Sequence, residues 1–177
     1  MIGVLGGGAW GTALAQMLAS DGTAVRLWAF EADLVDAINQ AHENPLYLPG
    51  IPLSPAITAT NDAADLGGCD TILVVAPAQH VGALIGGVPD RGQPLILCSK
   101  GMEQGSARLM NEVVEDAGWS GPVAVLSGPT FAHEVARGID DAPLHTPIAC
   151  GQVVPLQPGH EHSHHERRIP MCRGGSQ

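Results

Sequence analysis

The chain has 177 residues, 45% of them apolar, and a formal net charge of −10. That apolar fraction can bury a core, yet no run approaches the roughly 18 apolar residues that cross a bilayer, so membrane insertion is not expected. The acidic balance, with a pI near 5.0, argues against nucleic acid as a partner, because phosphate backbones are held by basic patches; it leaves room for a small phosphorylated molecule, which a few local donors can hold.

The chain opens directly on a short apolar strand, Ile2–Leu5, without the basic stretch that precedes a secretory h-region, so the expected compartment is the reducing cytoplasm. A helix follows at residues 12–20, with Ala13, Leu14, Met17 and Leu18 on one side, then a strand at 24–28 and a helix at Ala32–Ala41 that buries Leu34, Val35 and Ile38. Residues 43–55 carry four prolines and a glycine and read as a loop. Strands are predicted at Ile57–Thr60, 71–75 and 95–98, a helix at 106–117 with Leu109, Met110, Val113 and Val114 inward, a strand at 123–126, and a helix carrying Phe131 to Arg137. These strands are short, apolar and without strict alternation, as in a parallel sheet covered on both faces. The order predicts a doubly wound α/β domain with a mostly parallel sheet and right-handed crossovers.

After Gly138 the composition shifts to prolines and histidines with no apolar period. Residues 139–177 are therefore expected to be a disordered tail behind a domain at 1–138. Cys69, Cys98, Cys150 and Cys172 form no C-x-x-C pair, so neither a disulfide framework nor a zinc site is read from them, and Cys98, inside an apolar run, reads as a core thiol. In the tail, His160, His162, His164 and His165 stand close to Glu161 and Glu166. Without a rigid element to fix their geometry they suit adventitious metal binding only, and no metal site is expected.

The stretch "GVLGGGAWGTALA" follows the first strand and opens the first helix. Gly6, Gly8 and Gly11 fit G-x-G-x-x-G in the strand–turn–helix setting that gives this pattern meaning. Gly6 permits the tight turn, Gly8 lets a pyrophosphate approach the backbone, and Gly11 lets helix and strand pack closely. A dinucleotide is therefore the expected ligand. Glu31, just past the second strand, either accepts hydrogen bonds from a ribose 2′-hydroxyl, repelling a 2′-phosphate, or caps the helix that starts at Ala32. NAD and NADP both remain candidates.

"GVLGGGAWGTALA", "NPLYLPGIPL", "VVAPAQ", "CSKGME" and "VLSGPTFAHEVARG" together resemble the N-terminal domain of the bacterial-type NAD(P)-dependent glycerol-3-phosphate dehydrogenase family. The resemblance implies a Rossmann-type domain, interconversion of sn-glycerol 3-phosphate and dihydroxyacetone phosphate, and a place in cytoplasmic phospholipid synthesis. It implies cofactor contacts at Ala9, Trp10, Phe30, Lys100 and Ala132, and substrate contacts at Lys100, Gly128 and Thr130. Phe30 stands where a basic residue often holds the NADP phosphate. The family's helical second domain, with its general acid/base lysine, is not found in these 177 residues, whose single lysine is Lys100. No catalytic residue is therefore assigned, and little turnover is expected of the chain alone. The departure from the family pattern after Gly138 is read as a truncated gene or a change of reading frame. The alternative is a non-catalytic dinucleotide-binding module with an interaction or metal-binding tail.

The residues themselves support these positions. Lys100 follows the carboxyl end of a predicted parallel strand, the edge where doubly wound sheets bind ligands, and an ammonium there can pair with a carbonyl or phosphate oxygen. Thr130, with Gly128, precedes a helix start suited to a phosphate or hydroxyl, although Thr130 can equally serve as an N-cap. His80 and His133 read as helix-start or surface residues. The sequence sets no oligomeric state.

Overall fold

The computed structural model describes residues 1–99, 101–127, 131–137 and 152–156. The elements in chain order begin with β1 (Ile2–Leu5), α1 (Ala9–Leu18), β2 (Val25–Trp28), α2 (Ala32–Ala41), β3 (Glu43–Asn44), β4 (Leu48–Pro52) and β5 (Ile57–Thr60). They continue with β6 (Thr71–Val74), α3 (Val81–Gly86), β7 (Leu95–Leu97), α4 (Met110–Asp116), β8 (Val123–Ser127), α5 (Ala132–Arg137) and β9 (Gln152–Leu156). Six strands run parallel in the order β5-β2-β1-β6-β7-β8, and β9 lies antiparallel on the outer side of β8. Counted along the chain, the parallel strands thus stand third, second, first, fourth, fifth, sixth. The order reverses between β1 and β6, and in such sheets the crevice beyond the carboxyl ends at that reversal receives ligands.

Burial explains the lack of alternation in the strands. Val4 packs with Leu14, Ile38 and Leu48 on one face, whereas its neighbour Leu5 packs with Ile72, Val81 and Val114 on the other. All of these except Leu14 are fully buried, and Leu14 is 2% exposed. Successive side chains point to opposite faces of a strand, so a sheet with helices on both faces demands apolar residues at every position.

Several expectations change. The first helix begins at Ala9, three residues before the predicted start at residue 12, because Gly8 takes an extended N-cap conformation with φ −68° and ψ −179°. The proline-rich stretch 43–55 is more than a loop: β3 and β4 pair as an antiparallel ribbon, and Leu48, Ile51 and Leu53 join the core beside α1 and α2. A short helical segment, Ala78–His80 running into α3, fills the interval between β6 and β7, where glycines dilute the apolar period. The helix predicted at 106–117 starts only at Met110. Before it, Ala107 takes a left-handed φ of 55°, and Met102 and Leu109 form an isolated antiparallel bridge. Leu109 becomes the N-cap, its N–H satisfied by the Glu112 carboxylate at 2.8 Å, and its side chain is 51% exposed rather than inward.

The segment after Gly138, expected to form no element, contributes β9, paired with β8 from Gln152 to Leu156. Main-chain pairing onto an open sheet edge needs no apolar period, so the pattern rule could not register it. The rest of the expected tail, its histidines included, lies outside the described residues. Among the described residues, no helix is long and apolar enough to cross a membrane.

The corrected start of α4 has a measurable consequence. Leu109→Ala is expected to change stability by less than about 0.5 kcal/mol, as for exposed positions. Its neighbour Met110, 5% exposed in the core, is expected to cost about 2 kcal/mol or more on truncation to alanine. Urea unfolding midpoints of the two variants would check this; equal losses would restore the longer helix.

Candidate functional site

The glycine loop crosses from β1 to α1 in very little space. Gly6 has a φ of +136°, and a Cβ there would lie 2.9 Å from the backbone of Val75 and Ala76 at the end of β6. A Cβ on Gly11 would overlap the carbonyl oxygen of Gly6. Both glycines are thus required by the fold. Gly8 is different: a Cβ added there meets nothing within 4 Å. Among the described residues, no packing asks for glycine at this position, which fits a backbone left bare for an incoming group.

Gly8 is the N-cap of α1 and provides no side-chain cap, and the first turn of the helix holds no acid. The N–H groups at this end, with the positive end of the helix dipole, are therefore available to an anion. The geometry suits a pyrophosphate.

Beside this helix start lies a cleft of about 390 Å³ at the carboxyl edge of the sheet. It is lined by Ala9 and Trp10 of α1, Val75, Ala76 and Pro77 after β6, Cys98 and Ser99 after β7, and Phe131 with Ala132 at the start of α5. Three residues foreseen as cofactor contacts, Ala9, Trp10 and Ala132, thus meet in one cleft. Lys100, Gly128 and Thr130 lie outside the described residues. The segment around position 100 is anchored on both sides, however. Ser99 donates through Oγ to the Ala76 carbonyl at 2.6 Å, while Gln79 donates to the Met102 carbonyl at 3.2 Å and accepts from the Gln104 N–H at 2.8 Å. Sequence reading did not single out Ser99 or Gln79; their place within "CSKGME" and "VVAPAQ" was the only signal. Burial pushes the Cys98 thiol up to about 12, so it stays protonated at neutral pH and serves as an apolar wall, as its sequence setting implied.

The end of β2 forms a second part of the site. Phe30 is 80% exposed. Glu31 occupies the N-cap position of α2, yet its carboxylate makes no capping hydrogen bond. Instead it accepts from the Tyr47 hydroxyl at 2.6 Å, which raises the phenol's pKa. The capping alternative for Glu31 is thus not what the side chain does. Tyr47 arrives there because Asn44, which is fully buried, accepts from the Tyr47 N–H at 2.8 Å. The Asn44 amide nitrogen also donates to the Gly7 carbonyl at 3.0 Å and to the Thr12 hydroxyl at 2.8 Å. Asn44 was not foreseen, since an asparagine before a proline reads first as a turn residue.

His80 and His133 are both exposed, the former at the start of α3. Among the described residues, no group of three or more histidines, cysteines or acids is placed to hold a metal ion.

Comparison with known proteins places this geometry. The family model of the NAD-dependent glycerol-3-phosphate dehydrogenase N-terminus matches residues 1–150. A glycerol-3-phosphate dehydrogenase [NAD(P)+] of Erythrobacter litoralis is 54% identical over 149 residues, covering 84% of this chain and 44% of the relative. The enzyme of the same name from Caulobacter vibrioides is 55% identical over 152 residues, covering 84% and 45%. Among solved structures, glycerol-3-phosphate dehydrogenase from Coxiella burnetii superposes with a TM-score of 0.69 at 39% identity, over 77% of this chain and 43% of that one. The chain therefore spans somewhat under half the length of these relatives. With its strand order, its glycine loop and a match over residues 1–150 of 177, the chain belongs to the family of NAD-dependent glycerol-3-phosphate dehydrogenase N-terminal domains.

Proposed function

We propose that the chain binds a nicotinamide dinucleotide and carries the cofactor-binding part of a glycerol-3-phosphate dehydrogenase, the enzyme that interconverts sn-glycerol 3-phosphate and dihydroxyacetone phosphate. The observation that carries this reading is Gly8: a glycine with no packing need among the described residues, at the open N-terminus of α1, beside a cleft lined by Ala9, Trp10 and Ala132. In this reading Gly6 and Gly11 shape the loop, Gly8 faces the pyrophosphate, and Phe30 and Glu31 border the adenosine ribose. Lys100, Gly128 and Thr130 take the phosphorylated substrate, with Lys100 also touching the cofactor. When bound, the nicotinamide would supply or accept the hydride. The protein's part is to orient the two ligands and exclude water from between them.

The dinucleotide-binding unit is assigned to residues 1–138 and the tail to 139–177, with β9 extending the sheet edge. Cytoplasmic work in phospholipid synthesis follows from the assigned reaction. Phe30 carries no charge for a 2′-phosphate, and the Glu31 carboxylate, held by Tyr47, adds a negative charge at that end. Both favour NADH over NADPH. The reaction also needs a positioned proton donor for the carbonyl oxygen. Lys100 is the sole lysine in the 177 residues and already has a binding role, which supports the second reading, a dinucleotide-binding module that turns over little substrate by itself.

Calorimetry and thermal unfolding of the purified chain test the first claim. NADH at about a hundred times its Kd is expected to stabilise the folded state by about 2.7 kcal/mol. Absence of any binding heat with NADH and NADPH alike would refute the assignment. An assay with dihydroxyacetone phosphate and NADH then separates enzyme from module: little or no turnover beside clear binding is expected, and efficient turnover would overturn the expectation.

Cofactor choice has its own test. Phe30→Arg puts a guanidinium where a 2′-phosphate would lie, and one charge-assisted hydrogen bond of about 1.5–3 kcal/mol corresponds to a gain of about tenfold or more. NADPH affinity should therefore rise by at least that factor while NADH affinity stays nearly constant. Parallel gains for both coenzymes would remove Phe30 from the ribose end.

A further inference from the structure

We propose that Asn44 is a positioning residue of the dinucleotide site: its side chain sets the direction of the Gly8 N–H and ties the phosphate end of the site to the ribose end. The proposal rests on the reading that this site takes a dinucleotide, and it concerns a residue outside the glycine loop itself.

The argument begins with one peptide unit. The Gly7 carbonyl and the Gly8 N–H belong to the same planar trans peptide and therefore point in opposite directions. The Gly7 carbonyl accepts two hydrogen bonds from the interior, from the Asn44 amide at 3.0 Å and from the Thr12 hydroxyl at 3.2 Å. With that oxygen held inward, the N–H of Gly8 must face outward. No acceptor among the described residues takes it, and Gly8 is exposed among them. A donor aimed at an open surface before any ligand arrives costs no reorganisation on binding.

Asn44 is well placed to hold this arrangement. Both it and Thr12 are fully buried, where an unpaired polar group is costly. Both of its N–H groups and its carbonyl oxygen have partners. One amide N–H goes to Gly7 and one to Thr12, while the carbonyl oxygen accepts from the Tyr47 N–H. That last bond shapes the turn between β3 and β4, from which the Tyr47 hydroxyl reaches Glu31. A single amide thus links the loop facing the phosphates to the residues at the end of β2. An aliphatic residue could fill the same volume but could not orient a peptide plane.

The test uses the full chain and two substitutions, Asn44→Asp and Thr12→Val. Asn44→Asp keeps an acceptor for Tyr47 and replaces the donors with a group that repels the Gly7 carbonyl; Thr12→Val keeps shape and removes the second donor. NADH affinity is measured by calorimetry well below each variant's unfolding midpoint, with that midpoint recorded separately. Asn44→Asp is expected to weaken NADH by at least about tenfold in folded protein, the cost of roughly one misplaced buried hydrogen bond, and Thr12→Val by a smaller, severalfold factor. A purely structural role would lower the midpoint and leave the affinity of folded protein unchanged, and that result in both variants overturns the proposal. Should Asn44→Asp fail to fold, Thr12→Val decides by the same criterion. If the unaltered chain binds neither NADH nor NADPH, the dinucleotide reading itself falls and takes this proposal with it, an outcome distinct from normal binding by folded variants.

Discussion

The first helix approaches the first strand so closely that the Gly6 carbonyl oxygen fills the space a side chain on Gly11 would need. That contact brings the start of α1 directly above the carboxyl end of β1, beside the place where strand order reverses. A bulkier residue at either position would push helix and strand apart. The open N–H groups would then no longer border the cleft between Trp10 and the end of β6. The rest of the site is arranged around this close approach, because every other element that lines the cleft is positioned by packing on the same sheet.

Polar side chains serve the same geometry. Asn44 and Thr12 hold the Gly7 carbonyl, and Ser99 and Gln79 hold the segments on either side of position 100 to the end of β6. Hydrogen bonds of this kind add little net stability each, but for the buried Asn44 and Thr12 an unmet partner is expensive. They therefore restrict the backbone to one conformation more effectively than they strengthen the fold. The surrounding core does the stabilising, through two apolar clusters on opposite faces of the sheet. The residues that touch the cleft are mostly small or aromatic, while Asn44 and Thr12, which orient its glycine loop, are buried.

Much of the fold was legible because a parallel sheet covered on both faces leaves a plain mark, short apolar strands separated by helical intervals. Ile2–Leu5, Ile57–Thr60 and Ala32–Ala41 occur in the structure with the predicted bounds. The misreadings share a cause. At residues 106–109 apolar spacing suggested helix, but the left-handed Ala107 and the pairing of Met102 with Leu109 set a later start. In 43–55 proline content suggested loop, but a short ribbon needs few main-chain bonds and buries Leu48 and Ile51 against distant helices. Local composition carries no record of partners far along the chain.

The residue order alone determined the glycine loop and the doubly wound class, because each follows from a local requirement, a turn or a periodicity; the candidate contacts at Ala9, Trp10 and Ala132 came only from the family resemblance. Only the tertiary structure decided that Gly8, unlike Gly6 and Gly11, has no neighbour to avoid among the described residues, that Glu31 meets Tyr47 rather than its own helix, and that Asn44 stands behind the loop. Those facts depend on which segments meet in space. Contacts such as that of Asn44 with Gly7, 37 residues apart, are set by the packing of the whole sheet rather than by any pattern nearby in the chain.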